Sequence, residues 1–274
     1  MRRRLVGGAL RRYREQMGYA LEDAARVLEC DRSKISRIET GQRGIRPKEL
    51  RELLTEYGVP DPERAALMAI ASRGGSWLSY TDVLPGASLD YVIMESAAAE
   101  IMTYEAQVVP DLLQTDDYAR AIIAAEPAYV TDQQREDAMA AKAARRQAVL
   151  GASADRRLSV ILGEGALCQA VGGPGVMAGQ IAHLVRLIDD LPGLTIQVLP
   201  FSAGGHAAAA GASLAILRFS GAAGLGVVYL EALAGGVCLE SQEDVARYLG
   251  AFALLRAAAL SPQDSARLLS ELRV

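Results

Sequence analysis

The chain has 274 residues, of which 51% are hydrophobic and 23% charged, so it is long enough for two domains or for one large domain. It has no apolar run of membrane-spanning length, and no signal-peptide core follows the basic residues 2–4, so we expect a cytoplasmic protein without a membrane partner. Three scattered cysteines and two histidines argue against a disulfide framework and a zinc site, and we expect no metal and no cofactor.

The charge of the chain is distributed unevenly. Its total of −4 argues by itself against a nucleic-acid binder. Residues 1–73, however, contain 16 Lys and Arg against 11 Asp and Glu, whereas the remaining residues contain 13 against 22. A basic head on an acidic body is expected if only the head meets nucleic-acid phosphates, although ordinary variation in surface charge would give the same numbers.

Five short helices are predicted in the head, at residues 5–17, 21–28, 32–39, 47–57 and 61–73. Gly18 ends the first helix, and Pro47 suits the first turn of the fourth. Trp77 and Tyr80 follow the head and are expected to dock onto one of the two domains. The chain is therefore divided into a head, a linker and a body at residues 1–73, 74–86 and 87–274.

The second and third predicted helices form the pattern of a helix-turn-helix. Apolar residues recur at three- and four-residue spacing from Leu21 to Leu28, which predicts one buried helical face. Asp31 follows a short polar break and is placed to cap the next helix. The small side chain of Ala25 would let the two helices cross closely at a tight turn.

The third predicted helix has little apolar surface. It buries only Ile35 and Ile38, while its other side chains at positions 32–37 are basic or small and polar. Such a helix, rich in side chains that bind bases and phosphates, suits a DNA major groove. A solvated helix face is the alternative reading.

The body is predicted to mix helices with strands. Helices are expected at residues 88–104, 115–125, 131–151, 164–170, 175–190, 241–259 and 262–273. Strands are expected at residues 158–162, 195–200, 213–219 and 226–232. Ser241 and Ser261 each precede an acidic residue by three positions, which marks a helix start. The fold class is therefore α+β, with an all-α five-helix head and a larger α+β body that contains a small sheet.

Four segments of the body together form a recognisable sequence signature. They are VPDLLQT at 109–115, RRQAVL at 145–150, VLPFSAGGH at 198–206 and VVYLE at 227–231. The body resembles the uncharacterised C-terminal domain of many actinobacterial regulators, and the head resembles the Xre-type helix-turn-helix family, with the lambda-repressor-like fold. The resemblance implies a DNA-binding transcriptional regulator that is dimeric and often works with a small partner protein.

The docking geometry of that family implies which residues meet double-stranded DNA. They are Arg32, Ser33, Lys34, Ser36, Arg37, Gln42 and Arg43. Lys34 and Arg37 suit guanine O6 and N7, whereas the two serines suit phosphate or sugar. The last two residues, just past the helix, are placed to hold the DNA backbone.

Glu39 is an acidic residue on this DNA-facing helix, where it would repel phosphate. We therefore expect it to turn inward and pair with Arg11 or Arg14. The predicted scaffold residues of the head are thus Ala25, Ile35, Ile38 and Glu39.

Two positions depart from the pattern of the family. Glu29 lies in the turn between the second and third helices, where glycine is usual; if that residue has a positive φ, a non-glycine side chain costs on the order of 1 kcal/mol. Asp111 replaces the glycine that typically follows Pro110, so either the local turn differs or this patch binds something else.

The body offers few residues for chemistry. His206, Glu164 and Glu231 could in principle do acid–base work, but no nucleophile motif accompanies them, so we expect no enzyme and no catalytic residue. A possible ligand pocket would use Tyr104, Arg145, His206 and Glu231.

Surface pairing is the alternative role for the arginines of the long helix at 131–151. Arg145 and Arg146 could pair with Asp116 or Asp117 instead of binding an acidic ligand. Tyrosines at half-buried positions of helices and strands, likewise, more often pack than line a pocket.

The sequence as a whole favours a transcription factor that binds two half-sites as a homodimer and receives a signal from a small molecule or a small partner protein. The helices at 245–273 and the strands at 214–219 and 226–230 are candidate dimer surfaces, or core. Two alternatives remain: an interaction module whose head has lost DNA specificity, and an enzyme with a vestigial head. The basic face argues against the first, and a deep polar pocket around His206 would favour the second.

Overall fold

The computed structural model describes residues 2–72, 86–151, 156–209, 213–220, 226–231 and 236–272. The predicted linker lies outside the described residues except for Gly86, and Trp77 and Tyr80 lie outside them too. Among the helices that are described, none is both long enough and apolar enough to cross a membrane.

The head consists of helices, as predicted. They are α1 (Arg2–Gln16), α2 (Leu21–Val27), α3 (Arg32–Glu39), α4 (Pro47–Glu56) and α5 (Asp61–Ala71). Each contributes apolar side chains to one core, in which Leu10, Leu50 and Ile70 are fully buried. Pro47 lies in the first turn of α4, where its missing N–H leaves no helical hydrogen bond unmade.

The described part of the body contains seven α-helices and six strands. The helices are α6 (Gly86–Ala97), α7 (Asp116–Ala125), α8 (Asp132–Leu150), α9 (Gly165–Cys168), α10 (Pro174–Asp190), α11 (Gln242–Ala258) and α12 (Pro262–Leu272). The strands are β1 (Glu100–Glu105), β2 (Arg157–Gly163), β3 (Leu194–Leu199), β4 (Leu214–Arg218), β5 (Gly226–Leu230) and β6 (Val237–Leu239). The predicted α+β class is confirmed.

Two of the element predictions for the body were wrong or incomplete. The predicted helix at 88–104 ends at Ala97, and residues Glu100–Glu105 form a strand instead. The short strand Val237–Leu239 was not predicted at all. The predicted helix starts at Ser241 and Ser261 are confirmed, because each hydroxyl accepts a hydrogen bond from the backbone N–H three residues on.

The six strands form one mixed sheet in the order β3-β2-β1-β4-β5-β6. At its centre, β1 pairs in parallel with β2 and antiparallel with β4. Successive residues of a strand face opposite sides of a sheet, so Ile101 and Met102 enter two different apolar clusters. Because both faces are covered, β4 and β5 are core strands, and the suggestion that they form a dimer surface is wrong.

The two faces of the sheet are covered by different elements. On one face, Val245, Phe252 and Leu255 of α11 pack over β1, β4 and β5. The opposite face joins a larger cluster with α6, α8, α10 and α12. This second cluster continues into the head, so the head and the body share one apolar core.

A polar contact reinforces the junction of head and body. Arg2, in the first turn of α1, donates its Nε–H to Asp90 of α6 at 2.6 Å and a second N–H to the carbonyl of Ser72 at 2.7 Å. One guanidinium group therefore ties α1 to the end of α5 and to the first helix of the body.

Candidate nucleic-acid interface

The turn between α2 and α3 is tight. Glu29 has a φ of 46° and is the one non-glycine residue of the described chain with a positive φ, as the sequence suggested it could be. The next residue, Cys30, donates its N–H to the carbonyl of Ala25 at 2.9 Å and so closes the turn. Asp31 occupies the predicted N-cap position of α3, but its side chain makes no capping hydrogen bond, so the predicted capping role is wrong.

The inner side of α3 is anchored in the core of the head. Ile35 and Ile38 are at most 2% exposed and pack beside Ala25. Helix α1 approaches α3 so closely that a Cβ on Gly7 would overlap the carbonyl oxygen of Ile38. The backbone of α3 is thus fixed from both sides, which sets the direction of its outer side chains.

Glu39 points inward and pairs with Arg14, as predicted. Arg14 donates to both carboxylate oxygens, at 2.7 and 2.9 Å, and both side chains are under 10% exposed. A third N–H of Arg14 donates to the carbonyl of Tyr19 at 2.7 Å. The hydrogen bond to Glu39 raises the pKa of Arg14. The one acidic side chain of α3 is therefore withdrawn from the outer face.

The outer face of α3 presents basic and hydroxyl groups to solvent. Arg32, Ser33 and Arg37 are exposed, and Ser36 is half-buried. Arg37 donates its Nε–H to the carbonyl of Ser33 at 3.1 Å, which leaves its two terminal nitrogens free of any hydrogen bond among the described residues. Gln42 and Arg43 continue the exposed surface beyond the end of the helix. Their contacts with DNA remain predictions.

Lys34 takes a position that the sequence did not suggest. Its Nζ lies 2.7 Å from the carboxylate of Glu49 on α4, and both side chains are 18% exposed. Burial acts to raise the pKa of Glu49, but the hydrogen bonds from Lys34 and from the backbone of Arg46 lower it. Lys34 therefore holds α3 against α4 here, and a contact with guanine would require this ion pair to open.

Two residues that shape this interface were missed in the sequence. Glu49 lies on a different helix from Lys34, and no local pattern connects the two. Gly7 carried a usable signal. A glycine within a predicted helix lowers the stability of that helix, so its presence suggests that another backbone approaches closely there.

Two family models match the chain, one over the head and one over the body. Residues 5–67 match a model described as a helix-turn-helix domain. Residues 89–271 match the model of the domain of unknown function DUF5753, which covers more than half of the chain. The chain belongs to the DUF5753 family. Its predicted resemblance to a helix-turn-helix regulator with an uncharacterised C-terminal domain is thereby confirmed. No curated protein matches the chain, and no solved structure does.

In the DUF5753 body, Arg145 is held in a part-buried network of ion pairs. It donates to both carboxylate oxygens of Glu95, at 2.6 and 2.9 Å, and to Asp111 at 2.8 Å. Its guanidinium also lies 5.3 Å from the ring centroid of Tyr91. The suggested pairing of Arg145 with Asp116 or Asp117 is therefore wrong.

The pairing suggested for the neighbouring Arg146 is confirmed, since it donates to Asp116 at 2.7 Å. Asp111, which departs from the family pattern, accepts hydrogen bonds from Lys142 and Arg145. Burial acts to raise the pKa of Asp111, but these two cations hold it at about 2. Asp111 therefore neutralises part of the charge on the long helix α8.

Three of the other four candidate residues of the body contact other parts of the protein. The rings of Tyr104 and His206 meet edge to face, with centroids 5.8 Å apart. Glu164 accepts the backbone N–H of Phe201 at 2.6 Å. Glu231 is exposed just after β5. Within the described ranges, no group of three or more His, Cys, Asp and Glu side chains could hold a metal ion.

Proposed function

We propose that this protein is a sequence-specific transcriptional regulator that binds DNA as a homodimer and responds to a small ligand or a small partner protein. One observation carries the proposal: α3 keeps its apolar and acidic side chains inside the head and presents Arg32, Ser33 and Arg37 to solvent. A helix that is anchored on one side and basic on the other is suited to the major groove.

The face of α3 suggests a division of roles in the complex. Arg37 has two free terminal nitrogens and can donate both to O6 and N7 of one guanine. Ser33 is short and suits a phosphate or sugar oxygen, and Gln42 and Arg43 lie where the DNA backbone would continue past the helix. Arg32, which pairs with the exposed Glu22 at 3.0 Å, can exchange that partner for a phosphate at little cost.

A dimer is proposed because α3 is short. Its eight residues rise by roughly 12 Å, so one head reads only a few base pairs. Two heads on half-sites one helical turn apart would supply the missing affinity. The outer side of α11 supports a dimer surface on the C-terminal helices, because Ala253, Leu254 and Ala257 form an exposed apolar strip on a helix whose other side covers the sheet.

We assign no catalytic role to the body. Two of the three residues considered for acid–base work have structural uses instead: Glu164 holds a backbone N–H, and His206 packs against Tyr104 and accepts the N–H of Ala208 at 3.3 Å. The body then serves to hold two heads together and to receive the signal.

The proposal is tested by selecting genomic DNA fragments with the purified chain and measuring the affinity of the enriched sequence over a series of salt concentrations. We expect one inverted repeat to be enriched, with affinity falling as salt rises. Enrichment of no motif by the folded protein would contradict a sequence-specific role.

Arg37→Ala is the residue-level test on that enriched sequence. We expect it to lose about 1–3 kcal/mol of binding free energy, because a bidentate base contact is removed. Arg64→Ala is the matched control, because Arg64 lies on α5 and pairs with Asp61 of its own helix. Equal affinities of the two variants, measured by fluorescence anisotropy, would remove Arg37 from the interface.

A further inference from the structure

A cleft of about 1010 Å³ opens where the head meets the body. Its walls come from α1, from the loop between α3 and α4, from the end of α5 and from α6. We call it the head–body cleft. None of Tyr104, Arg145, His206 and Glu231, the residues considered for a ligand pocket in the sequence, lines it.

The floor of the head–body cleft is apolar. Its deepest side chains belong to the core of the protein and are Val6, Ile38, Ile70 and Ile93. Ile45, Ala71 and Leu89 are only half-buried, so they present apolar surface to the cleft. This floor suits a hydrophobic group and gives no polar partner to a small hydrated ion.

The rim of the head–body cleft is positive. Among the described residues, four arginines line it, Arg2, Arg3, Arg43 and Arg46, against a single acidic residue, Asp90. Asp90 is paired with Arg2 at 2.6 Å. The other three arginines are exposed, and across the described ranges none of their guanidinium groups has a carboxylate oxygen within 4 Å. The cleft thus carries three cations without an ion-pair partner around an apolar floor.

We propose that the head–body cleft binds an amphipathic organic anion, with its carboxylate, phosphate or sulfonate group on the arginine rim and its apolar body on the floor. Guanidinium groups donate two parallel hydrogen bonds to such groups, which makes arginine the favoured partner for them. The volume lies at the upper end of that found for ligand sites, which fits a bulky ligand better than an inorganic ion.

Occupation of the cleft acts on DNA binding through the loop between α3 and α4. This loop contributes Arg43 and Arg46 to the rim, and Arg43 is also a proposed contact to the DNA backbone. An anion held by Arg43 competes with a DNA phosphate for the same group, so ligand and DNA weaken each other by the same factor. This effector role rests on the proposed function, whereas anion binding does not.

Binding is tested with 8-anilinonaphthalene-1-sulfonate, an amphipathic anion whose fluorescence rises in an apolar site, titrated into the full-length chain. N-phenyl-1-naphthylamine, which has the same rings without the sulfonate, and inorganic phosphate, which has no apolar body, are the two comparison probes. We expect saturable binding of the sulfonate, with about tenfold weaker binding of the neutral amine and no displacement by phosphate at similar concentration.

The site is located with the double variant Arg3→Gln/Arg46→Gln. We expect the affinity for the sulfonate to fall about tenfold, since two of the three unpaired cations are lost. Arg51→Gln is the matched control, because Arg51 is an exposed arginine of the head outside the cleft, and it should change the affinity less than about twofold. Circular dichroism melting curves verify that the variants are folded.

Several outcomes would overturn the assignment. Equal binding of the neutral amine, or an unchanged sulfonate affinity in the double variant, would place the probe elsewhere. A double variant that loses affinity for DNA but not for the sulfonate would show that the rim serves DNA phosphates only. If the bound sulfonate leaves the affinity for the enriched DNA unchanged, the effector role is wrong. Failure to enrich any DNA contradicts the proposed function but leaves the result on anion binding intact.

Discussion

At the scale of single residues, the ion pair between Arg14 and Glu39 behaves differently from the many surface pairs of the head. Two charges that are under 10% exposed have lost most of their hydration, and each is compensated mainly by the other. Glu39→Ala would leave Arg14 charged and buried beside an empty site. We expect it to cost about 3–5 kcal/mol of unfolding free energy, measured on the full chain by urea denaturation.

The control for this prediction is Glu15→Ala. Glu15 pairs with Arg11 at 2.8 Å, but both side chains are more than half exposed and screened by water, so its removal should cost far less stability than Glu39→Ala. A similar loss in the two variants would mean that Arg14 finds water or another acceptor once Glu39 is gone.

Glu29 offers a gain in stability rather than a loss. Its φ of 46° places a side chain with a Cβ in the left-handed region, while the side chain itself is exposed. Glu29→Gly should therefore raise the unfolding free energy by about 1 kcal/mol. Glu29→Ala keeps the Cβ and should give no such gain. If both variants behaved alike in urea denaturation, backbone strain at this turn would not be the cause.

The arrangement of the residues at the candidate interface was predictable to the extent that their partners were local or dictated by charge. Glu39 had to leave a DNA-facing surface, and the basic first helix offered it a partner. Lys34 and Glu49 are fifteen positions apart on two helices, and their contact depends on how α3 and α4 cross. Spacing along the chain does not contain that angle, so Lys34 was expected on the outer face.

At the scale of elements, the crossing of α1 and α3 depends on a single missing methyl group. A Cβ on Gly7 would overlap the carbonyl oxygens of Ile38 and Glu39, whereas a Cβ on Gly8 would meet nothing within 4 Å. Gly7→Ala must therefore push α1 away from α3 or distort one of them. We expect a loss of about 2 kcal/mol or more in the unfolding free energy, together with weaker DNA binding.

Gly8→Ala is the matched variant on the same helix. It adds the same methyl group into open space and improves helix propensity, so it should stabilise the head by about 1 kcal/mol. Opposite signs for two adjacent, chemically identical substitutions, read from their denaturation midpoints, would establish the close approach. Equal signs would contradict it.

Element prediction failed where a strand depends on distant partners. Residues 100–105 continue an apolar helical stretch without any turn signal, and they become β1 only because β2 and β4 pair with them on either side. These partners lie roughly 55 and 110 residues further along the chain. The three-residue β6 is shorter than any reliable pattern. By contrast, the helices of the head, with clear periodicity and glycine or proline signals at their ends, were placed within a few residues.

At the scale of the whole molecule, stability should depend on pH through Glu105 at the end of β1. Burial raises the pKa of Glu105 to about 7, with nearby Glu231 and Asp111 acting in the same direction against hydrogen bonds from Ser213 and Thr103. Because the folded state binds this proton more tightly than the unfolded chain does, protonated Glu105 contributes to the unfolding free energy. That contribution is fully present below the pKa of the unfolded chain and is lost as pH rises towards 7. We expect a loss of about 3 kcal/mol between pH 4.5 and 7.

Glu105→Gln removes this titration while an amide can keep the hydrogen bonds. Its stability should therefore be flatter over the same range, as measured by urea denaturation at several pH values. Asp111 affects stability at acidic pH instead. Its pKa is about 2 in the folded protein and about 3.8 in the unfolded chain, so its contribution to the unfolding free energy is present above pH 3.8 and is lost as pH falls through 2. An unchanged slope between pH 4.5 and 7 in the glutamine variant would assign the pH dependence to another group.

The order β3-β2-β1-β4-β5-β6 also determines when each part of the protein can form during synthesis. The helices of the head contact one another within the first 71 residues, so they can pack as soon as that length has left the ribosome. The pairing of β1 with β4 must wait for β4 to be made, and Val198 of β3 can donate its N–H to the hydroxyl of Ser265 only when the last helix emerges. A chain cut short within the body would carry a complete head joined to unpaired apolar strand edges, and such a product is prone to aggregate.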